Sequence, residues 1–299
     1  MIRKPYERHA VMTVPARASA EIWRLALGLF VAALVMFGLA RGVMALIASL
    51  VSDETALGLS AALQTAETPT GLLLLLFLMG AMGAGALVAA EVVHKRAARS
   101  LFGPARLFWR QFLRVLVVLV VLNAAIALLP PWPLAEATEP GLPPTQWLAL
   151  LPLTLIGLLL QTGSEELLFR GYFQSQLAAR LKHPAIWLTV PSAAFAIGHY
   201  APETYGSNAF AIALWAFLFG VVAADLTARA GSLGPAIALH LVNNFVAIAL
   251  VAMQGDMSGL ALMQLPFGPD DEAAVAAWLP VDLATMGVSW LAARLAIRT

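Results

Sequence analysis

Glu165 and Glu166 stand side by side in an otherwise apolar stretch, Trp147–Leu168. A carboxylate at the centre of a membrane helix costs about 2.5–3.5 kcal/mol on insertion scales. The Leu and Ile residues of Leu151–Leu160 return only about 0.3–0.6 kcal/mol each, so two acids roughly cancel them. The pair is tolerable where it faces a wet, protein-lined cavity, or where it is paired or protonated. Arg170 follows Glu166 by four residues, which is ion-pair spacing on a helix, and Glu165 points about 100° away. One carboxylate can be held by the guanidinium while its neighbour stays free to take a proton. Taken alone, Glu166 and Arg170 fit an ordinary salt bridge at a helix end equally well.

Five histidines occur, and His9, His94 and His183 lie in basic stretches. His199 ends the apolar run Val190–Ile197, one turn after Phe195, and His240 lies in Pro235–Leu250, one turn before Asn244. Either alone fits a hydrogen-bonded packing residue. Together, Glu165, Glu166, Arg170, His199, His240 and Asn244 supply an acid, a base and an amide donor, and polar groups inside a bilayer find one another. A Glu or His base can activate water, and a second His or the Asn can donate to the oxyanion of a tetrahedral intermediate. That is the chemistry of amide hydrolysis. Other intramembrane schemes fit worse: there is no H-E-x-x-H, no G-x-G-D, and Ser164, Ser192 and Ser232 lie in no G-x-S-x-G elbow.

The elements that carry these residues are membrane helices. Of 299 residues, 61% are hydrophobic and 12% charged, against about 25% charged in soluble domains. Net charge is +1, without the basic excess that a nucleic-acid partner calls for. Cysteine is absent, which excludes disulfides, thiolate metal sites and a Cys nucleophile. The stretch Met1–Ala20 has no apolar core of the signal-peptide kind. Eight segments have spanning character: Ile22–Leu50, long enough to tilt or break near Arg41, then Gly71–Val93, Phe112–Leu129, Trp147–Leu168, Ala185–His199, Ala209–Ala228, Pro235–Met253 and Ala273–Ile297.

Basic residues occupy alternate connections. They are Arg3, Lys4, Arg8 and Arg17, then Lys95, Arg96, Arg99, Arg106 and Arg110, then Arg170, Arg180 and Lys182, then Arg229, and finally Arg294 and Arg298. The loops 52–70, 130–146, 200–208 and 254–272 have none and carry ten acids. By the positive-inside rule this gives an all-α polytopic protein of about eight spans with both termini cytoplasmic. Trp23, Trp109 and Trp187 on the inside and Trp132, Trp147 and Trp278 on the outside fit interfacial belts. Ala, Leu and Gly usage suggests a bacterial cytoplasmic membrane. The organisation reads as a cytoplasmic tail (1–20), a three-helix membrane part (21–145), a catalytic core (146–250), and an outer loop with the final helix (251–299). Helical rise puts His240 about 9 Å and His199 about 21 Å into their helices. To reconcile the two depths, 173–184 is expected to lie along the cytoplasmic interface and the fifth segment to be tilted, or broken near Pro191. Glu91 and Asp225 read as solvated helix-end residues, and Arg41 and Asp282 as isolated ones.

E-E-L-L-F-R (165–170), F-A-I-G-H (195–199) and H-L-V-N-N (240–244) resemble, in order, the three motifs of the CPBP family. These are the CAAX prenyl protease 2 and bacteriocin-processing (Abi) intramembrane endopeptidases, and the resemblance covers about 146–250. It implies a hydrolase in which Glu165 activates water with help from His199. Glu166 and Arg170 support the helix and the carboxylate, and His240 and Asn244 bind the oxyanion or the same water. It also implies membrane-anchored or lipidated protein or peptide substrates. A zinc site needs three protein ligands, and the only full set is His199, His240 and a glutamate. That set would consume the free base or strand Arg170, so no obligatory metal is expected, with zinc left open. Rival readings are a non-catalytic immunity or binding protein on the same scaffold and a proton-coupled transporter.

Overall fold

The computed structural model describes residues 5–128 and 137–298; Arg3, Lys4, Trp132 and Glu136 lie outside the described residues. The helices are α1 (Ile22–Leu50), α2 (Asp53–Thr65), α3 (Pro69–Val92), α4 (Ala105–Leu128), α5 (Pro144–Arg180), α6 (Pro184–Ile197), α7 (Ala209–Ala230), α8 (Gly234–Leu250) and α9 (Glu272–Ala296). The chain is an all-α membrane protein in which, among the described residues, six helices, α1, α3, α4, α5, α7 and α9, are long and apolar enough to cross a bilayer. The other two apolar segments, α6 and α8, are helical but shorter. Three two-residue strands pair at one end: Glu139–Pro140 runs antiparallel to Met263–Gln264, and Val251–Ala252 runs parallel to it.

Helix α8 is the centre of the bundle. Its sequence from Gly234 to Val242 is apolar on nearly every face, and every residue of that stretch is buried, as such a pattern demands. It packs on α4, α5 and α7. Gly234 permits the approach to α4, since a Cβ there would stand 2.4 Å from the Phe108 carbonyl oxygen. Gly85 of α3 does the same against α1, where a Cβ would fall 2.4 Å from the Ala32 oxygen. Close backbone approach through small residues is how membrane helices gain packing energy.

Several expectations change. Helix α1 runs unbroken for 29 residues through Arg41. The stretch 52–70 is not all loop: Ser52 accepts a hydrogen bond from the Thr55 amide at 3.3 Å and starts α2, with Asp53 and Glu54 in its first turn, the arrangement that suits a helix N-terminus. Helix α5 does not turn along an interface at Phe173. It continues to Arg180, 37 residues in all, through a wide π-helical segment at Leu167–Gln174. Pro191 sits inside an intact α6. The arm of α5 beyond Glu165, spanning 166–180, and the arm that leads back along α6 to His199, spanning 184–199, are nearly equal in length. Equal arms of a helical hairpin return the histidine to the level of the glutamates, with no break required.

The extension of α5 is held by protein. Gln174, Ser175 and Gln176 are almost fully buried. Gln176 Nε2 donates to the Ser19 carbonyl at 2.6 Å, and His94 Nε2 pairs with the Tyr172 hydroxyl at 2.7 Å. Arg96 is buried without a carboxylate partner among the described residues and donates to Ser175 Oγ (2.8 Å), Ser100 Oγ (2.9 Å) and the Met12 carbonyl (2.9 Å). Burial pushes its pKa down to about 10. Asp225, expected to be solvated, is instead buried and accepts from Tyr6 Oη (2.8 Å), Arg229 Nε (2.7 Å) and Trp290 Nε1 (3.0 Å). It ties residues 5–9 to α7 and α9.

His9 completes this closed end. Its ring lies 4.9 Å from that of Trp187, and its Nε2 has no hydrogen-bond partner. Burial, with the Arg96 cation adding to it, lowers its pKa to about 4. In the unfolded chain a histidine takes up its proton near pH 6.5. The contribution is therefore absent above pH 6.5 and destabilising as pH falls from 6.5 towards 4, because the unfolded state binds the proton first. We expect the melting temperature in detergent to fall less between pH 6.5 and 4.5 in His9→Phe than in the parent chain; parallel curves would remove His9 from this account.

Candidate active site

The π-helical segment begins directly after Glu166. Wide turns of this kind reset the angular register of a helix and recur at functional sites. Here the segment carries Arg170, still close enough to bridge back to Glu166: Nη1 donates to Glu166 Oε1 at 3.0 Å. Both residues are buried, at 0–1% exposure. The same Glu166 oxygen lies 2.8 Å from His240 Nδ1. The opposite ring nitrogen, Nε2, lies 3.5 Å from Glu165 Oε2. His240 thus sits between the two adjacent carboxylates, one at each ring nitrogen.

Charge decides the proton positions. The Arg170 guanidinium already bonds Glu166 Oε1, which makes that oxygen the acceptor, so Nδ1 of His240 donates to it. In a neutral imidazole the other nitrogen is then an acceptor. Nε2 therefore presents a lone pair beside Glu165, whose Oε2 has no hydrogen-bond donor of its own. Glu166 Oε2 and Arg170 Nη2 are likewise buried without partners. These atoms make the spot polar enough to hold water, which buried polar groups left without protein partners require.

Aromatic rings wall the site. Phe219 of α7 packs edge-on to His240 at 4.8 Å, and Phe195 of α6 lies 6.2 Å from His240 and 4.4 Å from His199. The Arg170 guanidinium carbon stands 4.9 Å from the Phe195 ring centre, which gives the buried cation a second source of stabilisation. His199 Nδ1 pairs with the Phe195 carbonyl at 2.9 Å, which leaves Nε2 as the ring nitrogen for other partners. Asn244 Nδ2 donates to Gln161 Oε1 at 2.9 Å. His199 and Asn244 are partly exposed, whereas Glu165, Glu166, Arg170 and His240 are buried.

Glu165, Glu166, Arg170 and His240 thus form one connected group, with His199 joined to it through the Phe195 ring and Asn244 one turn above His240. Sequence reasoning missed Gln161. It lies one turn before Glu165 and mirrors the step from Asn244 to His240 on α8, so the antiparallel helices meet as Gln161–Asn244 and Glu166–His240. A polar amide at the end of the apolar run Leu151–Leu160, four residues before Glu165, was the available signal. Among the described residues, no three His, Asp or Glu side chains are placed to hold a metal ion. Glu166 spends one oxygen on Arg170 and His240.

Removing one partner of a buried ion pair costs about 3–5 kcal/mol, because the other charge is stranded. Arg170→Met should therefore lower stability by roughly that amount, and Glu166→Gln should do so comparably. The double variant should lose clearly less than the sum of the two. Additive losses in a denaturation cycle would mean that the pair is not coupled.

No curated protein and no solved structure matches the chain. Residues 145–246 match the family model of the type II CAAX prenyl endopeptidase Rce1-like proteins. That span contains every polar side chain of the site, from Gln161 to Asn244. Residues 145–246, which carry the three motifs in order, thus form an Rce1-like domain, and this domain supports the CPBP/CAAX protease family.

Proposed function

We propose that the chain is an intramembrane endopeptidase of the CAAX type that hydrolyses peptide bonds of membrane-anchored or lipidated proteins or peptides in a bacterial cytoplasmic membrane. We further propose that it spans that membrane eight times, with both termini cytoplasmic. The observation that carries the catalytic reading is His240 set between Glu165 and an Arg170-neutralised Glu166.

In the proposed reaction Glu165 takes a proton from water as the oxygen attacks the scissile carbonyl. The proton passes to His240 Nε2, 3.5 Å away, and the imidazolium is stabilised by Glu166 at Nδ1. That proton then goes to the departing amine as the C–N bond breaks, so one water and one peptide give a carboxylic acid and an amine, which exchange a proton to become carboxylate and ammonium, with Glu165 and His240 returned to their starting states. Nε2 of His199 assists in placing the water, and the Asn244 amide serves the oxyanion. Preorganised donors of this kind contribute about 2.7–4 kcal/mol each in hydrolases. No step runs through a metal. The site's carboxylates, histidine and arginine fit neutral-pH hydrolysis better than proton transport, which needs titratable groups through the full bilayer depth.

Purified chain should cleave a fluorogenic membrane peptide in detergent. Glu165→Gln should lower kcat by about 100- to 10,000-fold, the range of a positioned base, at unchanged melting temperature, and activity should persist after chelation. Retained activity in Glu165→Gln would refute the assignment, and activity restored by one zinc per chain would refute the metal-free route. For the topology, reporter fusions after Arg99, Lys182 and Arg298 should score cytoplasmic and those at Thr65, Glu136 and Gly259 external. A reversed score at any outer loop would break the eight-span arrangement.

A further inference from the structure

The site is sealed at the end of the bundle that carries the termini. Along α8, each residue from Gly234 to Val242 is buried. Beneath it the N-terminal segment crosses the bundle: a Cβ on Gly231 would lie 2.6 Å from the Arg8 oxygen. Tyr6 is bonded to Asp225, Arg96 to Met12, and Gln176 to Ser19. A cavity of about 650 Å³ does open at this end, lined by Val11, Phe108, Trp109, Gly163 and Ile237 among others. None of Gln161, Glu165, Glu166, His199, His240 or Asn244 lines it.

At the opposite end the Leu262 amide bonds the Ala249 carbonyl at 3.0 Å and covers one side of the last turn of α8, while the stretch from Asn243 to Ala247 stays at least partly exposed. Exposure along α8 resumes at Asn243 and Asn244 and is greatest at Ala247. Helix α6 is too short to close that side. Its Phe195 packs on Phe219 of α7 at 6.2 Å; from there α7 runs about ten residues, or about 15 Å, to its start at Ala209, whereas α6 ends two residues on, at Ile197. The chain between them, 198–208, holds two short helical turns, Pro202–Tyr205 and Gly206–Asn208, and includes Glu203, Thr204, Ser207 and Asn208. Polar residues at membrane depth are tolerated where they face protein or a water-filled cavity. His199 stands at the root of that segment, and Tyr200 beside it is 55% exposed.

We infer that the site is reached from the membrane face opposite the termini, through a vestibule between the end of α6 and the outer turn of α8. Its substrates are then membrane-anchored peptides whose scissile bond is presented from the extracytoplasmic side. This rests on the proteolytic reading for the substrate, but not for the direction of access.

The chain has no cysteine, so single-cysteine variants need no prior substitution. Ala247→Cys and Tyr200→Cys report the vestibule, and Val11→Cys reports the inner cavity. Each is treated with a membrane-impermeant maleimide in sealed vesicles of either orientation, then solubilised and assayed on the fluorogenic peptide. Ala247→Cys and Tyr200→Cys should label only from the face opposite the termini, with activity falling at least tenfold on labelling. Val11→Cys should label only from the face of the termini and keep its activity. Vestibule cysteines labelled from the termini's face, or from neither, overturn the inference, as does labelling at Val11 that abolishes activity while labelling at Ala247 does not. If the unlabelled chain cleaves nothing, the proteolytic reading fails while the sidedness of labelling still decides the direction of access.

Discussion

Burying Glu166 in the middle of an apolar bundle is the constraint on which the rest depends. An isolated carboxylate there would be protonated or would unfold the helix. Arg170 and His240 both bond its Oε1, at 3.0 and 2.8 Å. Those two contacts come from different helices, α5 and α8, so satisfying one charge also fixes how the helices pack. The Gln161–Asn244 pair one turn further out repeats the lock. A residue held between two charged partners has few rotamers left, and this is how His240 comes to present one nitrogen to Glu165.

Paired charge explains the shape of the fold around the site. Helix α8 is short because it starts at the closed end, over residues already packed beneath it, and does not need to meet lipid. Helix α5 is long because its last turns are gripped by the N-terminal segment and by Arg96, whose buried guanidinium is satisfied by neutral oxygens. Hydrogen bonding holds both helices: the polar residues below the glutamates find protein partners, and above them Gln161 and Asn244 bond each other.

How much of this is legible in the sequence follows from what hydropathy measures. The apolar segments and the motif residues stand out because charge in an apolar run is expensive. The reach of α5 does not, since 171–180 alternates polar and apolar residues and reads as an interface. It is helical because Gln174, Ser175 and Gln176 bond to protein, which no local pattern reports. Asp225 misleads for the same reason. Its place near a helix end suggests solvent, but Tyr6 and Trp290, 219 and 65 positions away along the chain, fold back to bury it. The two-depth puzzle for His199 and His240 arises from measuring each helix from an assumed membrane surface. Measured against each other, the hairpin arms match.

An enzyme and a binding protein on this scaffold differ in what becomes of a captured partner. The most direct measurement is therefore to crosslink membrane proteins to the Glu165→Gln chain and to the parent chain in the same cells, and to read the captured peptides by mass spectrometry. The account predicts a membrane-anchored protein held intact by Glu165→Gln, and cut at one position, with its fragments released, where the parent chain is present. The same partner held intact by both chains would contradict it.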